Sequence, residues 1–541
     1  MKQWKKRAAA ALTAAFCLLA GCGMLGGAGE EARVDNVKVS DAYFGMAWYQ
    51  SGVLDPVLDS TGINRLLSEA LYEGLFEVTS NFTAENVLCA DYTGDGTTFT
   101  FTLREDAVFW SGEPLTAADV VDSLQTAQFN EKSPYHNRLV EVSTIEAVSD
   151  REVRIRLSSP NINFPRLLDI PIRRASGGSD AGFSAGTGPF RPTEEDRNWY
   201  LVPNENWHGG FLGSIRRITL VPLTHADAAL SSFQTGDVSL LRAARIATNP
   251  PNIGGSVHTV QTEGAVLHYL GINYENSALA QTHVRQALSA ALARQSLCDT
   301  QLQTFATPAV LPVNPQPDNT GINLSMAADT NLAQSLLRGG EPAADGQTAE
   351  DDTDDPDSGS DPEGDTGDPD EDTGGEDGSG TEDGDGSGET LSFTLLVNAD
   401  NAFKVAAAEQ IASSWNALKG VSVTVDRQPY ETFVSRLQSG SFDMYYGETQ
   451  LTADFDLRPL ISSGGSLNYG GYANEQMSTA VAAARSGENV AALYERFAEE
   501  LPFIPLAFER GQIIIRKGLI DHYTPAPYNA FAGLEHWTST D

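Results

Sequence analysis

Between Glu341 and Glu389 the chain carries 21 Asp and Glu, no Lys or Arg, and not one aromatic or branched aliphatic side chain. A stretch so poor in apolar groups cannot bury enough surface to offset its conformational entropy, so it is expected to be a disordered, solvated loop. Every packed element must then lie on either side of it. Before it, residues 331–338 have the apolar spacing of a helix that stops at Gly339; after it, 391–397 alternate as a strand. The insertion therefore sits in a helix-to-strand connection. Asp383, Asp385, Ser387 and Gly388 have the spacing of a calcium loop, but Thr394 stands where a bidentate Glu is required, and the solvated reading is preferred.

Outside the insertion the composition is that of a globular protein. The chain has 541 residues, 41% hydrophobic, enough for about three domains or subdomains. Of the net charge of −38, 21 negative charges fall in the insertion, leaving −17 on the remainder. Such a surface disfavours nucleic acid and offers no basic patch to a membrane.

The N-terminus reads as an export signal. Lys2, Lys5, Lys6 and Arg7 precede an apolar run, 8–20, too short to span a bilayer, followed by Leu19-Ala20-Gly21-Cys22. That tetrapeptide resembles a bacterial lipobox, which implies acylation of Cys22 and retention at the outer face of the cytoplasmic membrane of a bacterium. Residues 1–21 would be the signal peptide and 22–33 a tether. Cys89 and Cys298 remain for the folded body; far apart and without a spacing pattern, they are expected to be buried thiols, a disulfide between them being the alternative. There is no C-x-x-C pair, no H-E-x-x-H and no phosphate-binding glycine loop, so neither metal nor cofactor is expected.

Elsewhere strands and helices alternate, predicting mixed α/β layers. A strand is expected over 34–40 and a helix over 63–76 with Leu66, Leu67, Ala70, Leu71 and Leu75 on one face. Hairpins are expected around Gly94-Asp95-Gly96, joining 86–92 to 97–103, and around Ser149-Asp150. Thr116 and Asp119 form a capping box for a helix over 117–129. Further helices are expected at 283–297, 402–418, 430–438, 474–485 and 489–500, with a strand at 421–426.

Residues 182–186, GFSAG, match the nucleophile elbow of serine hydrolases, which would make Ser184 catalytic. An elbow needs an apolar strand before the serine and a helix after it. Here the upstream residues are polar and glycine-rich, and Thr187-Gly188-Pro189 blocks a following helix. The chain is read as a non-enzyme, with a hydrolase using Ser184 as the less favoured alternative.

A wider window gives the same stretch another meaning. GTGPF at 186–190, running on to Asn206-Trp207, resembles a conserved region of the family 5 extracellular solute-binding proteins, the peptide and nickel receptors of ABC importers. Other blocks are similar in the same order: Leu54-Asp55-Pro56 and SEALYEGLF (68–76), DGTTFTFTLREDAVFWSGEPLTAADVVDSL (95–124), LSSFQTGDVSLL (230–241), LHYLGINYENSALAQTHVRQALSAALAR (267–294), GSFDMYYG (440–447) and ELPFIPLAF (500–508).

The resemblance implies a two-lobed, type II clamshell with an extra subdomain in lobe I. Lobe I would span 34–262, lobe II 263–504 with the acidic insertion at 341–390, and 505–541 would return to lobe I. The chain would cross between lobes near 260–265 and 501–505. It further implies a monomeric, lipid-anchored receptor that captures peptides and passes them to an ABC permease; a nickel chelate, haem or a sugar is the alternative cargo. A surface adhesion or signalling lipoprotein using the acidic insertion is a third reading. Asp454 is the candidate partner for a peptide ammonium; Tyr446, Glu448 and Phe455 are candidate cleft residues, with Trp110 and Trp48 behind them. The tryptophan and prolines that peptide binders of the family carry in this region are missing here.

Overall fold

Two long antiparallel strands, Val257–Ile272 and Ile504–Arg516, form the axis on which the rest of the chain is hung. The protein, a computed structural model, is described over residues 43–50, 54–59, 61–175, 182–210, 213–225, 228–316, 325–339 and 390–538. The expected strand at 34–40, Cys22 and the acidic insertion lie outside the described residues.

The two long strands are central in a seven-stranded sheet. Its order runs from Leu240–Ala243 through Ile504–Arg516, Val257–Ile272, Met444–Gln450 and Leu391–Asn398 to Val421–Gln428, with Ala306–Pro308 added against Ile504–Arg516. The ladder between the long strands breaks register between Thr262 and Val266. Gly264 sits in that break, where an added Cβ would lie 1.9 Å from the Glu509 carbonyl oxygen, so only glycine lets the two backbones approach. On one side of the break the strands pair with Leu240–Ala243, and on the other with Met444–Gln450 and Ala306–Pro308.

Two four-stranded sheets stand apart from this axis. One runs Gly45–Tyr49, Ile218–Leu223, Asn198–Pro203, Phe190–Glu195; the other runs Cys89–Gly94, Thr98–Leu103, Glu152–Leu157, Val142–Ser149 and is covered by the helix Ala117–Phe129. In the second sheet the alternation of Phe99, Phe101 and Leu103 inward with threonines outward gives the strand Thr98–Leu103 one buried face. The capping box is present: the Thr116 N–H donates to Asp119 Oδ2 at 3.0 Å. Both hairpins form, the first because Asp95 Oδ1 accepts from the N–H groups of Thr97 and Thr98.

Three expected boundaries differ. The first helix ends at Leu71 rather than 76, because Tyr72 turns extended and starts the segment that leads to the strand Phe76–Val78. The expected strand over 86–92 is two strands, Ala84–Asn86 and Cys89–Gly94, pairing with different partners. The single helix over 283–297 is two, Thr282–Ala290 and Arg294–Thr300, since the fully buried Arg294 turns its guanidinium back on the Ser289 carbonyl and hydroxyl and on the Pro505 carbonyl. Cys89 and Cys298 are both free and buried, and burial pushes each thiol up to about 12, so they behave as small apolar side chains. No helix among the described residues is long and apolar enough to cross a membrane.

Candidate functional site

The block SEALYEGLF builds one wall of a cavity of about 340 Å³. The helix Gly62–Leu71 is capped by the Thr61 hydroxyl and buries Leu66, Leu67, Ala70 and Leu71, each leucine worth about 1.5–3 kcal/mol on transfer from water. Its other side presents Arg65, Ser68 and Glu69 to the cavity, and Tyr72 and Glu73 follow. At Gly74 an added Cβ would meet the Asp169 backbone at 2.8 Å, and this close approach brings Asp169 to the same wall. Tyr528, Asn529 and Phe531 from the C-terminal segment also line the cavity, as do Trp207 and His208.

The cavity is lined by charges of both signs, most of them already paired. Arg138 is bound to Asp169; burial opposes its charge, but the carboxylate together with Tyr135 and Tyr528 outweighs that and holds the guanidinium further into its protonated range. Arg242 donates to Glu69 Oε2 at 3.0 Å, and that oxygen also accepts the Ala530 N–H at 2.7 Å. Glu73 Oε1 accepts from Trp207 Nε1 at 2.8 Å and faces His208 Nε2 at 3.1 Å. Two groups stand out: Glu73 Oε2 is buried without a hydrogen-bond partner, and Arg65 makes no ion pair among the described residues. Burial raises the phenols of Tyr72, Tyr135 and Tyr528, the last to about 12, so all three are neutral donors.

A second contact joins the segment 141–166 to the segment 454–494. Glu141 accepts from Arg458, at 2.7 Å to Nη2, and from Arg485; the Ile162 N–H donates to the Arg485 carbonyl at 2.7 Å; Asn161 Nδ2 donates to Asp454 Oδ2 at 2.8 Å. Asp454 is almost wholly buried, and desolvation raises its carboxyl above the ordinary aspartate value, although Thr452, Asn161 and Arg485 act the other way. Next to it Phe455 takes a left-handed backbone, φ 53°, and packs edge-on against Phe82 at 4.9 Å, which in turn meets Tyr528 of the cavity wall.

Of the residues singled out in the sequence, Asp454 and Phe455 come together at this contact, and none of Asp454, Tyr446, Glu448, Phe455, Trp110 and Trp48 lines the cavity. Tyr446 is buried with its hydroxyl 3.2 Å from His268 Nδ1; Glu448 pairs with Lys404 at 2.9 Å. Trp48 is packed between Phe183 and Trp199, and Trp110 lies against Tyr72. Ser184 follows Phe183, which forms an isolated β-bridge with Leu54, and is followed by irregular chain up to the strand Phe190–Glu195 rather than by a helix; its carbonyl accepts from Tyr72. Arg65, Glu69 and Glu73 were readable as a charged i, i+4, i+8 line on the polar side of a one-sided helix. Arg138, Asp169 and Arg242 carried no local signal.

A family profile described as bacterial extracellular solute-binding proteins, family 5 (middle), matches residues 83–468. Among curated proteins, the glutathione-binding protein GsiB of Salmonella typhi is 27% identical over 282 residues, 48% of this chain and 54% of that protein. The Escherichia coli O157:H7 protein of the same name is 25% identical over 283 residues, again 48% and 54%. The match thus spans about half the length of these relatives. Among solved structures, the substrate-binding protein CtaP of Listeria monocytogenes aligns with a TM-score of 0.66 at 16% identity over 92% of this chain and 99% of that one. The murein tripeptide binding protein MppA, in its unliganded open form, gives 0.69 at 19% over 93% and 98%. These likenesses carry the fold, a two-lobed clamshell of mixed α/β layers.

Proposed function

The chain belongs to the bacterial extracellular solute-binding proteins of family 5, which bind rather than transform their ligands, and from that premise we propose that it captures a short peptide or similar zwitterion and delivers it to an ABC permease. The observation that carries the choice of ligand is the cavity in which, among the described residues, Arg65 has no ion pair and Glu73 Oε2 is buried without a hydrogen-bond partner. A buried oxygen left unsatisfied costs free energy that a donor on a ligand recovers, and Arg65 offers a bidentate fork to a carboxylate. One ammonium and one carboxylate on the same small molecule answer both. The volume is at the lower end of ligand sites and suits a di- or tripeptide better than a long peptide or a haem. Glutathione, named for the Salmonella relatives, is such a molecule.

In this reading residues 34–262 and 505–541 form lobe I, 263–504 form lobe II, and the register break at Thr262–Val266 opposite Glu509 is where the lobes pivot. Every residue that lines the cavity belongs to lobe I, so the ligand would meet lobe II only on closure, and that added contact would shift the population towards the closed form. Asp454 is then a closure residue, its carboxylate taken by Asn161, rather than the ammonium partner. Cys22 carries the lipid that keeps the receptor at the outer face of the membrane, and the protein acts as a monomer.

Calorimetric titration of the chain beginning at Gly23 with glutathione and with di- to tetrapeptides tests this. Saturable 1:1 binding is expected, weakened about tenfold, on the order of 1.4 kcal/mol, in Arg65→Ala and in Glu73→Gln. Saturable binding that neither substitution weakens would remove the cavity from the account. Deleting 341–389 should leave the affinity unchanged; its loss would make the acidic stretch part of the binding device.

A further inference from the structure

A third cluster lies on the seven-stranded sheet, away from the cavity. His268 stands opposite Glu448 on one neighbouring strand and opposite Ala507 on the other; Glu509, two residues on from Ala507, shares its face. His268 is completely buried, its Nδ1 is engaged with the Tyr446 hydroxyl, and its Nε2 has no hydrogen-bond partner. That nitrogen points to Glu509 Oε2 at 3.7 Å, too far for a hydrogen bond. Glu509 is nearly buried as well, and its other oxygen receives only a long contact, 3.4 Å, from the Ile246 N–H. One ligand atom from each of His268, Glu448 and Glu509 lies within 4.8 Å of the others. Above them, on the helix Ala402–Asn416, the buried Lys404 reaches Glu448 Oε1 at 2.9 Å.

We propose that His268, Glu448 and Glu509 form a divalent-cation site, suited to Zn²⁺ or a first-row neighbour such as Co²⁺, beside the register break of the two long strands. The donor set is one imidazole nitrogen and two carboxylates, which favours these ions over the soft thiolate-seeking Cu(I) and over Ca²⁺ with its six to eight oxygens. Tetrahedral ligation at about 2.0–2.2 Å puts ligand atoms roughly 3.4 Å apart. The 3.7 Å pair is within about 0.3 Å of that spacing, and a pair at the 4.8 Å limit needs about 1.4 Å of movement, available to the half-exposed Glu448 once it releases Lys404. The second nitrogen of the imidazole is held by Tyr446, the outer-shell support a ligating histidine requires. A bound ion supplies the partner that His268 Nε2 lacks and ties three strands together next to the pivot.

The test is titration of the metal-stripped protein, acidic stretch included, with Co²⁺ in the presence of excess Mg²⁺, which occupies the oxygen-only sites of that stretch. The expected result is one equivalent of Co²⁺ with visible absorption bands of a low-coordinate, imidazole-bound ion, displaced by Zn²⁺. Glu509→Gln should weaken binding at least tenfold and His268→Ala should abolish the bands, while Lys404→Met should tighten binding at least tenfold by freeing Glu448. The gain in Lys404→Met cannot come from misfolding and Glu509→Gln is isosteric, so a poorly folded His268→Ala leaves the test intact. Absence of a stoichiometric site under Mg²⁺, or binding indifferent to Glu509→Gln and Lys404→Met, overturns the proposal. Solute binding at the cavity is scored separately, since Arg65→Ala should leave the Co²⁺ site unchanged.

Discussion

Replacing Arg285 by methionine is expected to destabilise the protein by about 3–5 kcal/mol, the range for stranding buried partners of a charged group. Arg285 is 2% exposed and sits in the first of the two helices that replace the expected one. Its Nε donates to the carbonyls of Glu500 and Leu501 at 3.1 and 3.0 Å, Nη1 to Leu279 and Ala280 at 3.3 and 2.5 Å, and Nη2 to Thr282 Oγ1 and Glu500 at 3.0 and 2.5 Å. The carbonyls belong to two chain segments 215 residues away and near at hand, so one side chain fixes the end of the helix Val490–Glu500 against the start of Thr282–Ala290. Leu501, held there in a left-handed conformation at φ 42°, leads directly into the long strand Ile504–Arg516. Methionine fills the volume but leaves these acceptors buried and unpaired. Urea unfolding should show a lower midpoint with an unchanged slope, and Arg285→Lys should recover only a fraction, because a single ammonium cannot reach acceptors spread around a planar fork. A midpoint within experimental scatter of wild type would mean that water reaches these carbonyls.

Removing the Glu141 carboxylate is expected to open the molecule. Glu141 is the acceptor between Arg458 and Arg485, and all three side chains are at most 31% exposed. Burial pushes its carboxyl up, but hydrogen bonds from Arg458 and Ser159 and the charges of both arginines outweigh this and hold it below the ordinary glutamate value. A depressed carboxyl contributes stability that is present above its unfolded-state value and is lost as pH falls through the lower folded one. Arg458 keeps Asp456 as a partner in the variant, so the cost is below that of a stranded buried charge, about 1–2 kcal/mol. Glu141→Ala should therefore raise the radius of gyration of the ligand-free protein in small-angle scattering and weaken ligand binding about 5- to 30-fold. Wild type should lose compactness in the same way as pH is lowered, while the variant stays insensitive over that range. Unchanged scattering and affinity in Glu141→Ala would show that this contact does not report on closure.

The fold was legible where chemistry is local. The Thr116 and Asp119 box, the Asp95 turn and the one-sided helix before Tyr72 each follow from residues within a few positions of one another, and each is present. The helix break at Ala291–Ala293 was not legible, because the run of alanines and leucines keeps its period and the break is imposed by Arg294 reaching the Pro505 carbonyl, 211 residues away. The site follows the same rule. The blocks shared with the family marked the helix that forms the cavity wall, whereas Asp454, singled out as an ammonium partner, lies outside that cavity. Its partner Asn161 lies 293 residues away in sequence, and the Glu69–Arg242 pair spans 173, so the sequence gives no indication which charges are consumed by folding and which remain for a ligand.

That a charged small solute occupies the cavity is tested most directly by native mass spectrometry of the chain from Gly23, purified from cells without added ligand, then denatured so that any cargo is released and identified. Cargo survives purification when its residence time exceeds the handling time. A 1:1 adduct that releases short peptides or glutathione and is depleted in Arg65→Ala is the expected result. A retained apolar or uncharged molecule, or an adduct equally occupied in Arg65→Ala and Glu73→Gln, would contradict it.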